Sequence, residues 1–357
     1  MVAESQFGVY VHVPFCAHRC DYCAFVTYND QDENIDAYFE ALTTEIANSN
    51  LPSVTSVFFG GGTPSRVDPR YIAEVCKHLP LIDGAEVSVE CNPDFVGQEH
   101  FEVYAAGGVN RLSFGVQSFA QHVLDSLGRT HKRENVERAV GLARSVHPFS
   151  INLDLIYGAA GESVEDWRYT LQAAMDLSVD HISAYALTVE GGTPLADEPE
   201  RWPDDDDLAE KYLLANDILE RHGLNNYEIS NWARPGQECR HNLLYWSQGN
   251  YRGFGVAAHS HEDGKRWWNT TQLDRYLQKI STQQSVESSM ELLTAEQRSF
   301  EQLQLAIRMK TGVPRSYFSD ALLEELTEFL EIENDMVRLN PNGRLMANEL
   351  SLRMFAQ

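Results

Sequence analysis

The stretch Cys16-Ala17-His18-Arg19-Cys20-Asp21-Tyr22-Cys23 places three thiols at the spacing C-x3-C-x2-C. It follows an alternating apolar run, residues 7–13, whose β-branched and aromatic side chains predict a strand. Pro14 ends that strand and starts a loop. The three cysteines therefore lie at the exit of the first predicted strand.

Three clustered thiols are one ligand short of a closed metal site. Structural zinc takes four ligands, and a cubic iron–sulfur cluster normally takes four thiolates. A cluster held only by Cys16, Cys20 and Cys23 would keep one iron open for a small molecule. Two other interpretations stay open: a zinc site with His12 or His18 as the fourth ligand, or buried and inert thiols.

Composition limits the class of protein. The chain has 357 residues, of which 43% are hydrophobic, and a formal charge of −25, which disfavours binding to nucleic acid. The other cysteines, Cys76, Cys91 and Cys239, are scattered, so they predict no disulfide framework. We find neither a signal peptide nor an apolar run of membrane-spanning length. These features predict a cytoplasmic protein with no integral membrane segment.

Strand-like runs alternate with helical stretches six times before residue 224. The predicted strands are 7–13, 54–59, 85–90, 111–116, 151–157 and 181–189; the predicted helices are 34–48, 71–79, 99–106, 133–146, 163–177 and 208–222. This alternation predicts an α/β fold with a parallel sheet or barrel. Six units are too few for a closed eight-stranded barrel.

The rest of the chain divides into two further predicted segments. Residues 225–290 form an aromatic-rich connecting segment after the 1–224 barrel domain. In residues 291–357 we expect helices at 294–309 and 317–332, a hairpin around Asn340-Pro341-Asn342-Gly343, and a helix at 344–354. That order predicts a small winged-helix-like domain, used for packing or partner contact rather than for reading DNA.

Polar residues mark the ends of several predicted strands, where parallel sheets bind ligands. Gly60-Gly61-Gly62-Thr63-Pro64 ends the second strand, and Glu90 ends the third. Gln117 follows the fourth strand, and Asp154 lies within the fifth. Polar side chains are costly to bury without partners, so they indicate either a ligand site or hydrogen bonds to neighbouring loops.

The cysteine spacing, with Tyr22 before the last Cys, resembles the signature of the radical S-adenosylmethionine (SAM) family. That resemblance implies a [4Fe-4S] cluster on Cys16, Cys20 and Cys23, with the methionyl amine and carboxylate of SAM on the open iron. It also implies a partial, three-quarter (β/α)6 barrel. In this family an electron from the cluster breaks a carbon–sulfur bond of SAM and gives a 5′-deoxyadenosyl radical.

A narrower resemblance runs from about Tyr10 to the C-terminus. The motifs are Tyr10-Val11-His12-Val13-Pro14-Phe15-Cys16, residues 60–64, Gly115-Val116-Gln117-Ser118-Phe119, Leu127-Gly128-Arg129, and Asn152-Leu153-Asp154-Leu155-Ile156-Tyr157-Gly158. They resemble the oxygen-independent coproporphyrinogen III dehydrogenases and their HemW-like haem-chaperone relatives. The resemblance implies that SAM contacts Tyr10, Tyr22, Gly61, Gly62, Thr63, Glu90, Gln117, Arg129 and Asp154, with Thr188 as a further candidate.

Three departures favour the chaperone branch. The dehydrogenases carry a further Cys where this chain has Phe25, and a longer segment before the cysteine loop. This chain also has Cys239-Arg240-His241-Asn242-Leu243-Leu244-Tyr245-Trp246, whose His-Asn-x-x-Tyr-Trp pattern resembles the chaperones. An imidazole is a standard axial ligand of haem iron, and Tyr245 and Trp246 offer flat surfaces for a porphyrin. A structural role for His241 is the competing interpretation, and His259, His261 and Cys239 are rival ligands.

We therefore hypothesise a haem chaperone that binds a [4Fe-4S] cluster, SAM and haem, and passes haem to an acceptor haem protein, with respiratory haem proteins as candidates. The alternative is an oxygen-independent coproporphyrinogen III dehydrogenase, in which the adenosyl radical drives oxidative decarboxylation of propionates. A third hypothesis is a zinc or cluster module that does not cleave SAM. A homodimer is expected only on the general ground that most oligomers are symmetric dimers.

Overall fold

The computed structural model describes residues 6–355. Six strand–helix units fill residues 7–221. Their strands are β1 (Phe7–Val13), β2 (Val54–Gly61), β3 (Leu81–Cys91), β4 (Arg111–Gln117), β5 (Ser150–Tyr157) and β6 (His181–Ala186). Their helices are α1 (Ile35–Ala47), α2 (Pro69–Lys77), α3 (Gln98–Ala106), α4 (Gln121–Ser126), α5 (Arg133–Val146), α6 (Val164–Asp176) and α7 (Asp205–Arg221); the fourth unit has two of them, the short α4 and then α5.

The six strands pair in parallel in chain order, from β1 to β6. This arrangement confirms the predicted α/β partial barrel. The sequence-based end of the sixth strand was wrong by three residues, because β6 stops at Ala186. Thr188 therefore lies in the loop that follows the strand.

Residues 225–292 extend this sheet at both edges. They form β7 (Asn225–Asn226), β8 (Asn231–Ala233), α8 (Arg240–Trp246), β9 (Asn250–Phe254), β10 (His259–Glu262), β11 (Lys265–Asn269), α9 (Leu273–Ser281) and β12 (Glu287–Leu292). The strand order is β12-β11-β10-β9-β1-β2-β3-β4-β5-β6-β8-β7. β9 pairs in parallel with β1, whereas β8 pairs antiparallel with β6.

The two faces of the sheet differ in chemistry because side chains alternate along each strand. One face carries Val9, Val11, Val57 and their counterparts, which pack in the main hydrophobic core. The opposite face, which we call the polar face, carries Tyr10 and His12 of β1, Ser56 of β2, Glu86, Ser88 and Glu90 of β3, Arg111 and Ser113 of β4, Asn152 and Asp154 of β5, and His181 and Ser183 of β6.

The C-terminal segment has its own hydrophobic core and a three-stranded antiparallel sheet. It contains α10 (Ala295–Ala306), β13 (Val313–Pro314), α11 (Asp320–Glu325), β14 (Leu330–Glu333), β15 (Met336–Leu339), α12 (Pro341–Leu345) and α13 (Ala347–Phe355). The predicted helix at 317–332 was wrong, because α11 is short and β14 follows it. The predicted 344–354 helix is split between α12 and α13.

The predicted position of the hairpin was also wrong. The β14–β15 turn is at Asn334 and Asp335, both with positive φ angles of 51° and 65°. Asn340 instead caps α12, accepting a hydrogen bond from the Gly343 N–H at 2.9 Å, and Pro341 occupies the first turn. Proline at this position favours a helix start because its missing N–H is not needed there.

Candidate functional site

A cavity of about 550 Å³ lies at the carboxyl ends of the parallel strands. The cysteine loop forms part of its wall. Residues at the carboxyl ends of β2 to β6, and the segments that follow β2, β3, β4 and β6, contribute the remainder. The sequence-predicted residues that line it are Cys16, Cys20, Cys23, Tyr22, Gly61, Gly62, Thr63, Glu90, Gln117, Arg129, Asp154 and Thr188. The fold thus brings together residues that are up to 172 positions apart in the chain.

Backbone hydrogen bonds join the glycine-rich loop to the cysteine loop. The Gly62 N–H donates to the Val13 carbonyl at 2.8 Å, and the Thr63 N–H donates to the Phe15 carbonyl at 2.9 Å. The Thr63 hydroxyl lies 3.6 Å from the Cys16 sulfur. A Cβ at position 62 would lie 2.7 Å from the Val13 oxygen, so this close approach requires glycine.

The amide groups of this loop are already used within the protein. The Gly61 N–H donates to Glu90 Oε2 at 3.1 Å, and Gly61 has a φ of +106°. The Gly62 and Thr63 N–H groups also donate within the protein, so none of these three N–H groups is left for a ligand. An ammonium group is a donor, so the carbonyls of the loop are the groups suited to it.

Two carboxyl groups face the cavity, Glu90 from β3 and Asp154 from β5, on either side of β4. Burial, and then the charge of Asp154, raise the pKa of Glu90 to about 8. Burial also raises the pKa of Asp154, although Ser113 opposes this by donating a hydrogen bond at 2.6 Å. Such groups are suited to accept hydrogen bonds from ligand hydroxyls, which would offset the cost of burying their charge.

Arg129 brings a guanidinium to the same cavity. Its Nη2 donates to the Gly115 carbonyl at 2.8 Å, and its Nη1 lies 3.8 Å from the Cys20 sulfur. Its Nε is buried, and no hydrogen-bond partner for it exists among the described residues. Gln117 is held beside it in a left-handed conformation, with a φ of 63°. The arginine therefore has a donor left for an anionic group such as a carboxylate.

The residues fit a cluster better than a single metal ion. Within residues 6–355, no three His, Cys, Asp or Glu side chains converge closely enough to hold one ion. The three thiols of the cysteine loop instead share the wall of a wide cavity and are partly accessible. Burial raises the pKa of the Cys16 and Cys23 thiols.

Comparison with known proteins gives the family. The radical SAM superfamily signature matches residues 10–174. The chain is 38% identical over 364 residues to a Mycobacterium tuberculosis protein named "Heme chaperone HemW", covering 96% of this chain and 93% of that one. It is 33% identical over 369 residues to the Bacillus subtilis protein of the same name, covering 96% and 97%. The chain belongs to the HemW family of the radical SAM superfamily.

A solved structure supports the fold. Coproporphyrinogen III oxidase (HemN) from Escherichia coli, a radical SAM enzyme, superposes with a TM-score of 0.85 at 22% identity, covering 99% of this chain and 90% of that one. The HemW relatives confirm the predicted family and its HemW-like branch, and this structure confirms the fold. Among residues 6–355 no helix is both long and apolar enough to cross a membrane.

The His-Asn-x-x-Tyr-Trp residues of this HemW-family chain lie away from the cavity wall, on α8. The ring of His241 is 1% exposed, and both of its nitrogens are hydrogen-bonded, to Ser56 Oγ at 3.0 Å and to the Tyr245 hydroxyl at 2.8 Å. Burial lowers the His241 pKa to about 3. Trp246 lines a separate groove with Arg308 and other residues.

Tyr10 is also not part of the cavity wall. Its hydroxyl is 3.0 Å from His12 Nδ1, and the His12 ring lies against Gly61, where a Cβ would be 2.3 Å away. Tyr10 therefore lies one layer behind the glycine-rich loop. Its predicted contact with SAM stays a prediction.

Sequence reasoning missed several residues that line the cavity. Ser113 and Tyr185 are examples, and Phe25 lines it with an exposed ring. The missed signal was the polar alternation His181, Ser183, Tyr185 along β6. An alternating polar set inside a central strand indicates a face that lines a ligand space.

Proposed function

We propose that this chain is a haem chaperone that holds a [4Fe-4S] cluster and SAM in the cysteine-lined cavity, binds haem, and delivers it to an acceptor haem protein. The observation that carries the proposal is the similarity to proteins named heme chaperone HemW, which are 38% and 33% identical to this chain over 96% of its length. Phe25, where the dehydrogenases carry a further Cys, also supports it.

The residues of the cavity have distinct roles in this proposal. Cys16, Cys20 and Cys23 would hold the cluster, which would supply one-electron reduction of SAM. Arg129 would bind the methionyl carboxylate, since its Nε donor is otherwise unused. Glu90 and Asp154 would accept hydrogen bonds from ribose hydroxyls. The carbonyls of the glycine-rich loop would bind the methionyl ammonium.

Haem titration of the full chain after anaerobic reconstitution with iron and sulfide tests this function. We expect saturable binding of one haem per chain, followed by transfer to a haem-free acceptor such as apomyoglobin. If the chain binds no haem either before or after reconstitution of the cluster, the proposal is wrong.

The alternative function is tested on the same preparation. Coproporphyrinogen III, SAM and a reductant are added anaerobically, and tetrapyrroles are separated by chromatography. We expect no protoporphyrinogen; its formation would identify a coproporphyrinogen III dehydrogenase instead.

A further inference from the structure

The axial ligand of haem can be assigned by comparing the exposure and hydrogen bonds of the candidate side chains. His241 is buried with both ring nitrogens occupied. His261 is 3% exposed, and its nitrogens contact the Gly249 carbonyl at 3.0 Å and the Gly264 N–H at 3.2 Å. Cys239 is buried against Glu86. To bind iron, each of these would have to break a buried hydrogen bond.

His259 differs from them in exposure and in hydrogen bonding. It is exposed at the start of β10, and no side chain or carbonyl within residues 6–355 hydrogen-bonds its ring nitrogens. Its ring stacks on Trp268 of β11, with centroids 5.6 Å apart and an interplanar angle of 21°. The indole therefore orients the imidazole while leaving its nitrogens accessible.

The position of His259 links it to the cysteine-lined cavity. His261 pairs with Tyr251, and Tyr251 pairs with Gly8, so alternation puts His259 on the polar face with Tyr10 and His12. Burial lowers the pKa of His12 to about 4, and the proximity of His259 lowers it further. The His12 ring in turn packs on Gly61, a residue of the cavity wall.

We propose that His259 is an axial ligand of haem iron and that Trp268 positions its ring. This assignment rests on the proposed haem-chaperone function. A neutral imidazole with an accessible nitrogen is a common haem ligand. Haem bound there would lie on the sheet extension formed by β9 to β11, beside the cavity rather than against α8.

Haem titration of the reconstituted full chain tests the assignment, read from Soret absorbance and electron paramagnetic resonance. His259→Ala and His241→Ala are compared with the unaltered chain. His78→Ala is the matched control, because His78 is a partly exposed histidine at the end of α2 that contacts Glu74. Circular dichroism of each variant checks that it is folded.

We expect His259→Ala to weaken haem binding by about tenfold or more and to change the spin-state signals of the iron. Added imidazole should restore the original spectrum, and His78→Ala should bind as the unaltered chain does. If the unaltered chain binds haem and His259→Ala retains its affinity and spectrum, the assignment is wrong while the proposed function stands. If the unaltered chain binds no haem, both are wrong.

Discussion

Gly62 is the residue at which the two loops of the cavity meet. A Cβ there would lie 2.7 Å from the Val13 oxygen and 2.8 Å from the Pro14 carbonyl carbon, both backbone atoms that cannot rotate away. We expect Gly62→Ala to lower the free energy of unfolding by about 1–3 kcal/mol. Gly141→Ala is the control, because nothing lies within 4 Å of its added Cβ in α5; it should gain about 0.5–1 kcal/mol. Urea denaturation measures both, and equal stabilities would contradict the close approach.

Glu90 makes stability depend on pH. Its folded pKa of about 8 lies above the usual 4.5, so the folded state binds more protons between these values. The protonated Glu90 side chain therefore contributes fully to the free energy of unfolding below pH 4.5, and this contribution is lost as the pH rises through 8. In the chain without SAM, Glu90→Gln should remove this loss and be more stable at pH 8.5 by about 1 kcal/mol or more.

Thermal unfolding between pH 5 and 8.5 measures the effect of Glu90→Gln. Glu102→Gln, an exposed glutamate on α3, serves as the control and should follow the unaltered chain. Parallel pH profiles for Glu90→Gln and the unaltered chain would show that Glu90 is already ionised at neutral pH.

At the scale of the element, α8 is anchored by Glu86. This buried carboxylate accepts hydrogen bonds from the Arg240 N–H at 3.1 Å and the His241 N–H at 3.0 Å, the first amides of the helix. A negative group at a helix N-terminus also interacts favourably with its dipole. We expect Glu86→Ala to lower the free energy of unfolding by about 1–3 kcal/mol. It should also speed amide exchange in residues 239–246.

Hydrogen-exchange mass spectrometry locates that change. Asp83→Ala provides the comparison, because Asp83 is exposed on the same strand, β3. Exchange that speeds equally in both variants, or everywhere in the sheet, would rule out a specific cap on α8.

Elements differ in how well the sequence predicts them. The six parallel strands were predictable because buried strands appear as long apolar runs between amphipathic helices. The edge strands β7 to β12 were not, because several have only two to five residues and mix polar with aromatic side chains. The hairpin was misplaced because Asn340-Pro341-Asn342-Gly343 looks like a turn, whereas Asn334-Asp335 forms the actual one.

For the whole molecule, local sequence motifs predicted the position of the cavity but not the environment of the histidines outside its wall. The cysteine and glycine loops carry their own patterns, so most of the cavity wall was predictable. Burial of His241 was not, because it depends on Ser56 and Tyr245 meeting it in three dimensions. Exposure of His259 likewise depends on how β10 lies between β9 and β11 in three dimensions.

SAM binding should be visible across the whole barrel, because the cysteine loop and the carboxyl ends of β2 to β6 all line the cavity. One ligand that contacts all of them would stabilise their folded conformation by linkage. In the reconstituted chain, we expect added SAM to slow amide exchange at residues 16–25, 60–63, 90–95, 115–129, 154–156 and 185–190. Residues 295–355 have a separate hydrophobic core and should not change. If the guanidinium binds the methionyl carboxylate, Arg129→Ala should abolish the protection. Protection confined to one loop, or centred on the C-terminal segment, would show that the cavity is not the SAM site.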